Sequence, residues 1–404
     1  MSSSFITRRR NPYNKINIDI PALKASTPTP LSVARSELAA TSIRNYALFG
    51  GGKNGSSQSD VSNVVDAYSP SLTRTTPTTL SQARRILSAT SIGNYALFGG
   101  GNAGSSSTSS VVDAYDNNLT RTTPTVLSEA RQNLTATIIG NYALFGGGQT
   151  ISSQTEASNV VDAYNTSLTR TTPTVLSVAR SILASTTIGN YALFGGGSTG
   201  STSTSDVVDA YNSSLTRTTP TVLSVARSNL AATSISDYAL FGGGYLYPDY
   251  FNTVDAYNTS LTRTTPTVLS IGRGNLASTS VARFAMFGGG RSNTGWSKVV
   301  DACDYNLTMT TQTPLSGIIE SLAATSSNNY ALFGGGEIGN SFTDKVNAYE
   351  YSVETEFQIY PGTIYKFGGS SEQTSNSWIT LAVTSSNGVH GYLKIKDTQV
   401  NSAN

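Results

Sequence analysis

Six aspartates and six arginines recur in step along this chain. Asp66, Asp113, Asp162, Asp209, Asp255 and Asp301 each follow a valine. Arg35, Arg84, Arg131, Arg180, Arg227 and Arg273 stand 28 to 31 residues ahead of them. Carboxylates and guanidinium groups are the raw material of acid–base and oxyanion chemistry. A catalytic centre, however, needs one converging set, and this pattern supplies six equal ones. It points instead to structure, with aspartate capping backbone N–H groups or pairing with arginine. A ring of equivalent ligand pockets is the functional alternative. A second series, Arg74, Arg121, Arg170, Arg217 and Arg263, reads as exposed cations at a rim.

Other catalytic chemistry has little to build on. The single histidine, His390, excludes zinc sites that need several His or Cys ligands. Cys303 is the only cysteine, so no intramolecular disulfide can form, and it reads as a small buried hydrophobe. Calcium held by carboxylates and carbonyls stays open. No cofactor, no metal and no catalytic residue is expected. The carboxylate pair Asp249 and Glu337 is the one arrangement that would suit glycoside hydrolysis.

Residues suited to binding lie where the pattern breaks. Four stretches after a glycine triplet are bland, such as STGSTSTSD. The fifth reads YLYPDYFNT and carries Tyr245, Tyr247, Asp249, Tyr250 and Phe251. The sixth holds Arg291 and Trp296, and the seventh Glu337, Phe342 and Asp344. Exposed aromatics are costly in water unless packed or used. Aromatic planes beside hydrogen-bonding groups are a common grip on sugar rings. Tyr245, Tyr247, Asp249, Tyr250, Phe251, Arg291, Trp296 and Phe342 are therefore the candidate ligand-binding residues.

The elements that must position them come from seven tandem copies of one unit. YALFGG begins at Tyr46, Tyr95, Tyr142, Tyr191, Tyr238 and Tyr330, and Phe284 opens the variant FAMFGG. Successive copies are 46 to 49 residues apart. A Val-Asp-Ala string and a Leu-Ser pair also count seven, with Asn347 replacing aspartate in the last copy. Within residues 224–268, Leu230–Ser234, Tyr238–Phe241, Val254–Tyr257 and Leu261–Thr265 read as four short strands between turn residues. Glycine pairs, prolines and abundant Ser and Thr leave no window for a helix. The expected fold is all-β: a closed, seven-bladed β-propeller. The continuous apolar run of YALF suits a strand covered on both faces. Small residues in strings such as LAAT suit a crowded axis.

The copies are out of phase at the ends. The seventh lacks LTRTTP, whereas residues 18–28 precede the first Leu-Ser marker, with Leu23 in register with Leu72 and Pro28 with Pro77. The N-terminal segment is thus expected to supply the last blade's outer strand and hide both edges. The expected organisation is an arm at 1–17, the propeller at 18–351 and a small C-terminal β-module at 352–404. Ile364–Gly369, Trp378–Val383 and Val389–Ile395 are that module's expected strands. It reads as an oligomerisation or attachment element.

Composition narrows the partners. Charged residues make up 12% and the net charge is +2, with Arg8, Arg9 and Arg10 the one basic cluster. A nucleic-acid binder needs a broader basic stripe, so no nucleic-acid partner is expected. No run approaches a membrane span, and the N-terminus lacks the apolar stretch of a signal peptide. A surface kept wet by Ser, Thr and Asn instead of charge is common in extracellular and virion β-proteins, so the expected localisation is synthesis in the cytoplasm, with a place in a virion or release to the outside.

The unit resembles the kelch repeat. An arginine before the first strand (Arg227), an aromatic-aliphatic second strand ending in Gly242-Gly243 and a third strand ending at Tyr257 match that family's pattern, over residues 18–350. Two features depart from it: Thr and Arg stand where the fourth strand often carries Trp, and the seventh unit reads Gly317-Ile318-Ile319-Glu320 without the arginine. The resemblance implies a kelch-like propeller serving as a ligand-recognition disc. The near-identity of the copies is also similar to repetitive phage and bacterial proteins. The expectation is a non-catalytic recognition module for a cell-surface glycan or protein, as in a phage host-recognition or tail component, joined to other virion or tail proteins through residues 352–404. A structural virion or assembly protein, or a carbohydrate-active enzyme on a propeller scaffold, is the alternative.

Overall fold

The computed structural model describes residues 20–44, 46–150, 156–317, 319–339, 341–359, 379–384 and 390–397. The expected N-terminal arm, Arg8 to Arg10 and the expected strand Ile364–Gly369 lie outside them. The chain divides into two compact units, one of Ala25–Glu350 and one of the described residues before and after it.

The first unit is the seven-bladed propeller. Six blades are separate four-stranded antiparallel sheets with strands in chain order. In blade four these are Ala184–Ile188, Tyr191–Gly195, Val208–Asn212 and Arg217–Thr218. Blade seven comprises Ala323–Ser327, Tyr330–Gly334 and Val346–Ile359, and Ile20–Ser26 pairs with the last of these. The N-terminal strand therefore does close the ring. In the second unit, residues up to Ile359 run parallel to His390–Asp397, which pairs antiparallel with Ile379–Thr384.

The core lies between blades. In YALFG of blade four, Ala192, Leu193 and Phe194 are fully buried, because both faces of the second strand are covered. One hydrophobic cluster joins Leu193, Val208 and Ala210 of blade four to Ala239, Phe241 and Tyr257 of blade five. Phe241 and Tyr257 meet edge to face with centroids 5.9 Å apart, an arrangement worth about 0.5–1.5 kcal/mol beyond area. The tyrosine hydroxyl then donates to the carbonyl of Thr221 at 2.8 Å, so its polar tip is satisfied. Blade six has Cys303 at this position, fully buried, its thiol pushed up to about 12 by burial and then by Asp304.

The first glycine of each triplet seats the neighbouring blade. A Cβ on Gly195 would lie 2.7 Å from the ring of Phe241. The same relation runs around the circle and ends with Gly334 against Phe49, which joins blade seven to blade one. The inner strands leave an axial cavity of about 250 Å³, lined by small residues such as Ala40, Ala89, Ala136 and Ala232.

The outer strand is shorter than expected, Arg263–Thr264 instead of Leu261–Thr265. The Asn258 side chain accepts hydrogen bonds from the N–H groups of Ser260 and Thr262 at 3.0 and 2.9 Å. That Asx turn forces Leu261 to a φ of 62°, which no strand residue adopts.

Candidate functional site

The repeated charges form buried triads. In blade three, Arg131 and Asp162 are both fully buried, and their nearest atoms are 2.5 Å apart. The second carboxylate oxygen takes Arg170 at 3.0 Å and the backbone N–H of Ser128 at 3.0 Å. Arg131 also donates to the carbonyls of Gly147 and Val160. Burial pulls the Arg131 guanidinium below its usual range, and Asp162 pulls it back. The structural reading of these charges is thus the observed one, in the interior of the blade instead of at its edge. The second arginines are a correction. Arg170 is only a quarter exposed and is held by Asp162, because a buried carboxylate needs several donors to fill its lone pairs.

Blade seven drops the whole set. Ile319, 2% exposed, stands in place of the arginine, and Asn347 in place of the aspartate. Asn347 still accepts from the N–H of Ser316 at 2.8 Å. Charge is lost on both sides together, so no buried ion is stranded.

The loops between second and third strands share a face with the linkers entering the next blade. Leu80 N–H donates to the Asn63 carbonyl at 2.8 Å, and Arg84 N–H to Ser62. Closer to the axis, seven backbone hydrogen bonds form a closed circle. Glu37 donates to Ser321, Ser321 to Asn275, Asn275 to Asn229, Asn229 to Ile182, Ile182 to Asn133, Asn133 to Ile86, and Ile86 to Glu37, all at 2.9–3.2 Å. Each of these residues has a positive φ, from 45° at Ile86 to 57° at Ser321. Asparagine tolerates that region; isoleucine does so at a cost.

Just outside this circle, each blade makes one bridge between the residue after the linker arginine and the residue after the glycine triplet. Blade two joins Arg85 to Asn102, and blade seven joins Glu320 to Glu337. Sequence reasoning missed this ring, although its signal was present. The residues after the triplets are Lys53, Asn102, Gln149, Ser198, Tyr245, Arg291 and Glu337, seven different types in otherwise near-identical copies.

Among the described residues, two-stranded hairpins stand on this face at blades five, six and seven. They are Tyr245–Leu246 with Asp249–Tyr250, Arg291–Ser292 with Gly295–Trp296, and Glu337–Ile338 with Ser341–Phe342. The expected binding residues therefore fall on one face, but in different settings. Tyr247, 82% exposed, stands at the tip of the first hairpin, with Asp249 also exposed. Tyr245 and Tyr250 are half-buried and pack on each other, with centroids 4.7 Å apart. Phe251 is half-buried, its backbone tied to Gly244 and Arg273. Arg291 lies over the Trp296 ring at 5.5 Å. The Trp296 indole N–H donates to Glu320 at 2.7 Å, and Glu320 also accepts from Asn275 at 3.1 Å. Phe342 is half-buried under the Lys53 ammonium, 5.6 Å from the ring centre.

Glu337 is half-buried here, and its carboxyl is held above the usual carboxylate range by burial first and by Glu37 next, with Lys53 opposing. A carboxyl raised on folding weakens the fold wherever it is ionised, and that penalty vanishes below its unfolded value. Glu337→Gln should therefore raise the urea midpoint at pH 7 and leave it unchanged near pH 4. Solvent screening keeps the gain below about 1 kcal/mol.

Together the ring of blades and its one asymmetric loop face define a seven-bladed β-propeller. The chain is similar to the solved structure of YjhT, also a propeller, with a TM-score of 0.58 at 12% identity. The match covers 71% of this chain and 99% of that one, and at this identity the likeness is one of fold. No protein-family model matches the sequence. No curated protein matches it either.

Proposed function

We propose that the chain is a non-catalytic recognition propeller of kelch type, binding a cell-surface glycan through the hairpins of blades five to seven. The observation that carries this reading is the placement of Tyr247 and Trp296, both exposed, on hairpins that the described parts of the other blades lack. Trp296 offers a ring face backed by Arg291, with the carboxylate of Glu320 fixed at its edge. An aromatic plane beside fixed hydrogen-bonding groups matches the amphipathic faces of a sugar ring. The buried triads serve the scaffold and leave this face free to differ.

The test uses a glycan array and whole-cell binding with the full chain. Tyr247→Ala/Trp296→Ala should weaken retention by about tenfold or more, equivalent to about 1.4 kcal/mol, without moving the unfolding midpoint. Tyr245 and Tyr250 are left intact because they hold each other. Unchanged retention on a ligand the parent protein binds would remove the patch from consideration.

A further inference from the structure

The same face carries a second feature, over blades one to three, that the hairpins do not share. It is an open depression of about 580 Å³ lined by Gln58, Arg85, Ile86, Asn102, Gln132 and the serines at 105 and 106. Its floor is built. Asn102 is 1% exposed and Gln132 3%, and the Asn102 amide donates to Gln132 Oε1 at 2.8 Å. Asn102 Oδ1 accepts from the N–H of Gly104 at 2.8 Å, which fixes the loop that carries both serines. Arg85 is nine-tenths buried, donates to Glu37 at 2.6 Å and also contacts Gln58.

We propose that this depression is a binding site for a neutral saccharide unit. Charge argues for neutrality: Glu37 already balances Arg85, and the other lining groups are amides, hydroxyls and the Ile86 side chain. Shape and chemistry argue for a sugar. Amides and hydroxyls donate and accept, as vicinal hydroxyls require, while Ile86 gives an apolar surface for ring C–H groups. The position of Ile86 is held by the closed circle of backbone hydrogen bonds. The site rests on the glycan reading only for its choice of face; none of its residues belongs to the hairpins of blades five to seven.

The experiment is saturation-transfer NMR on the full chain with glucose, galactose, mannose and N-acetylglucosamine as probes, alongside glucuronate and inorganic phosphate. At least one neutral sugar should show saturable transfer. Ser106→Trp, at an exposed rim position, should fill the depression and weaken that binding at least tenfold with the unfolding midpoint unchanged. Arg85→Lys, which keeps the charge near Glu37 but removes the fork that reaches both Glu37 and Gln58, should weaken it as well. Tyr247→Ala/Trp296→Ala should not. No transfer from any neutral sugar, transfer that survives Ser106→Trp, or binding confined to glucuronate or phosphate would overturn the assignment. Sugar binding lost only in the Tyr247/Trp296 variant would overturn it too while upholding the hairpin site.

Discussion

Arg180→Ile should cost about 3–5 kcal/mol of stability, the range for stranding one member of a buried ion pair. Arg180 and Asp209 are both fully buried and bonded to each other. With the arginine gone, Asp209 keeps only Arg217, a quarter exposed and 3.5 Å away, and the N–H of Ser177. Adding Asp209→Asn should recover much of the loss. Blade seven is the precedent, for Ile319 and Asn347 sit buried together with the Ser316 bond preserved. Recovery should be partial, since Arg180 also donates to the carbonyls of Gly196 and Val207. Denaturant unfolding of the parent, both single variants and the double variant measures this directly. A double variant as unstable as Arg180→Ile would show that the carbonyl bonds, not the stranded charge, dominate.

Phe194→Ala should cost about 3–5 kcal/mol, the range for emptying a packed aromatic site. Phe194 is fully buried, packs edge to face on Tyr211 at 5.7 Å, and lies against Gly146 of the preceding blade. A Cβ on Gly146 would come 2.6 Å from its ring. Gly146→Ala alone should therefore cost about 1–3 kcal/mol through overpacking. Together the two changes should cost less than their sum, because the new methyl occupies part of the space the ring vacates. Such coupling is the mark of direct contact in a double-mutant cycle. Strict additivity would mean that the two blades do not meet at this point.

Much of the scaffold was legible because it is repeated. Seven YALFGG-type strings placed the second strands, and the phase difference between the chain ends placed residues 18–28 on blade seven, where the strand runs Ile20–Ser26. The outer strand was overread because LTRTT looks like a β-former. The competing hydrogen bonds of Asn258 win locally and send Leu261 into the left-handed region. The inward role of Arg170 was missed because arginine near a turn is ordinarily solvated, and only the fold brings it to Asp162. The candidate site was half legible. Aromatics in the fifth to seventh loops stood out by type, but which of them face solvent depends on pairings such as Tyr245 with Tyr250. The circle through Glu37, Ile86, Asn133 and their counterparts joins neighbours 46 to 49 positions apart and closes from Glu37 to Ser321. No local pattern announces it.

The uncharged set in blade seven also bears on how such a chain finds its own ends. Six blades are near-copies, so the N-terminal strand has six wrong sheets to join and one right one. By the register of Leu23 with Leu72, this strand offers Ala25 where the other outer strands of blades one to five offer arginine. Laid on any of those five blades, it would deprive a buried aspartate of its second cation. Laid on Asn347, it deprives nothing. The substitution at the seventh position thus acts as an address, written in missing charge, that distinguishes the closing seam from the seams of blades one to five.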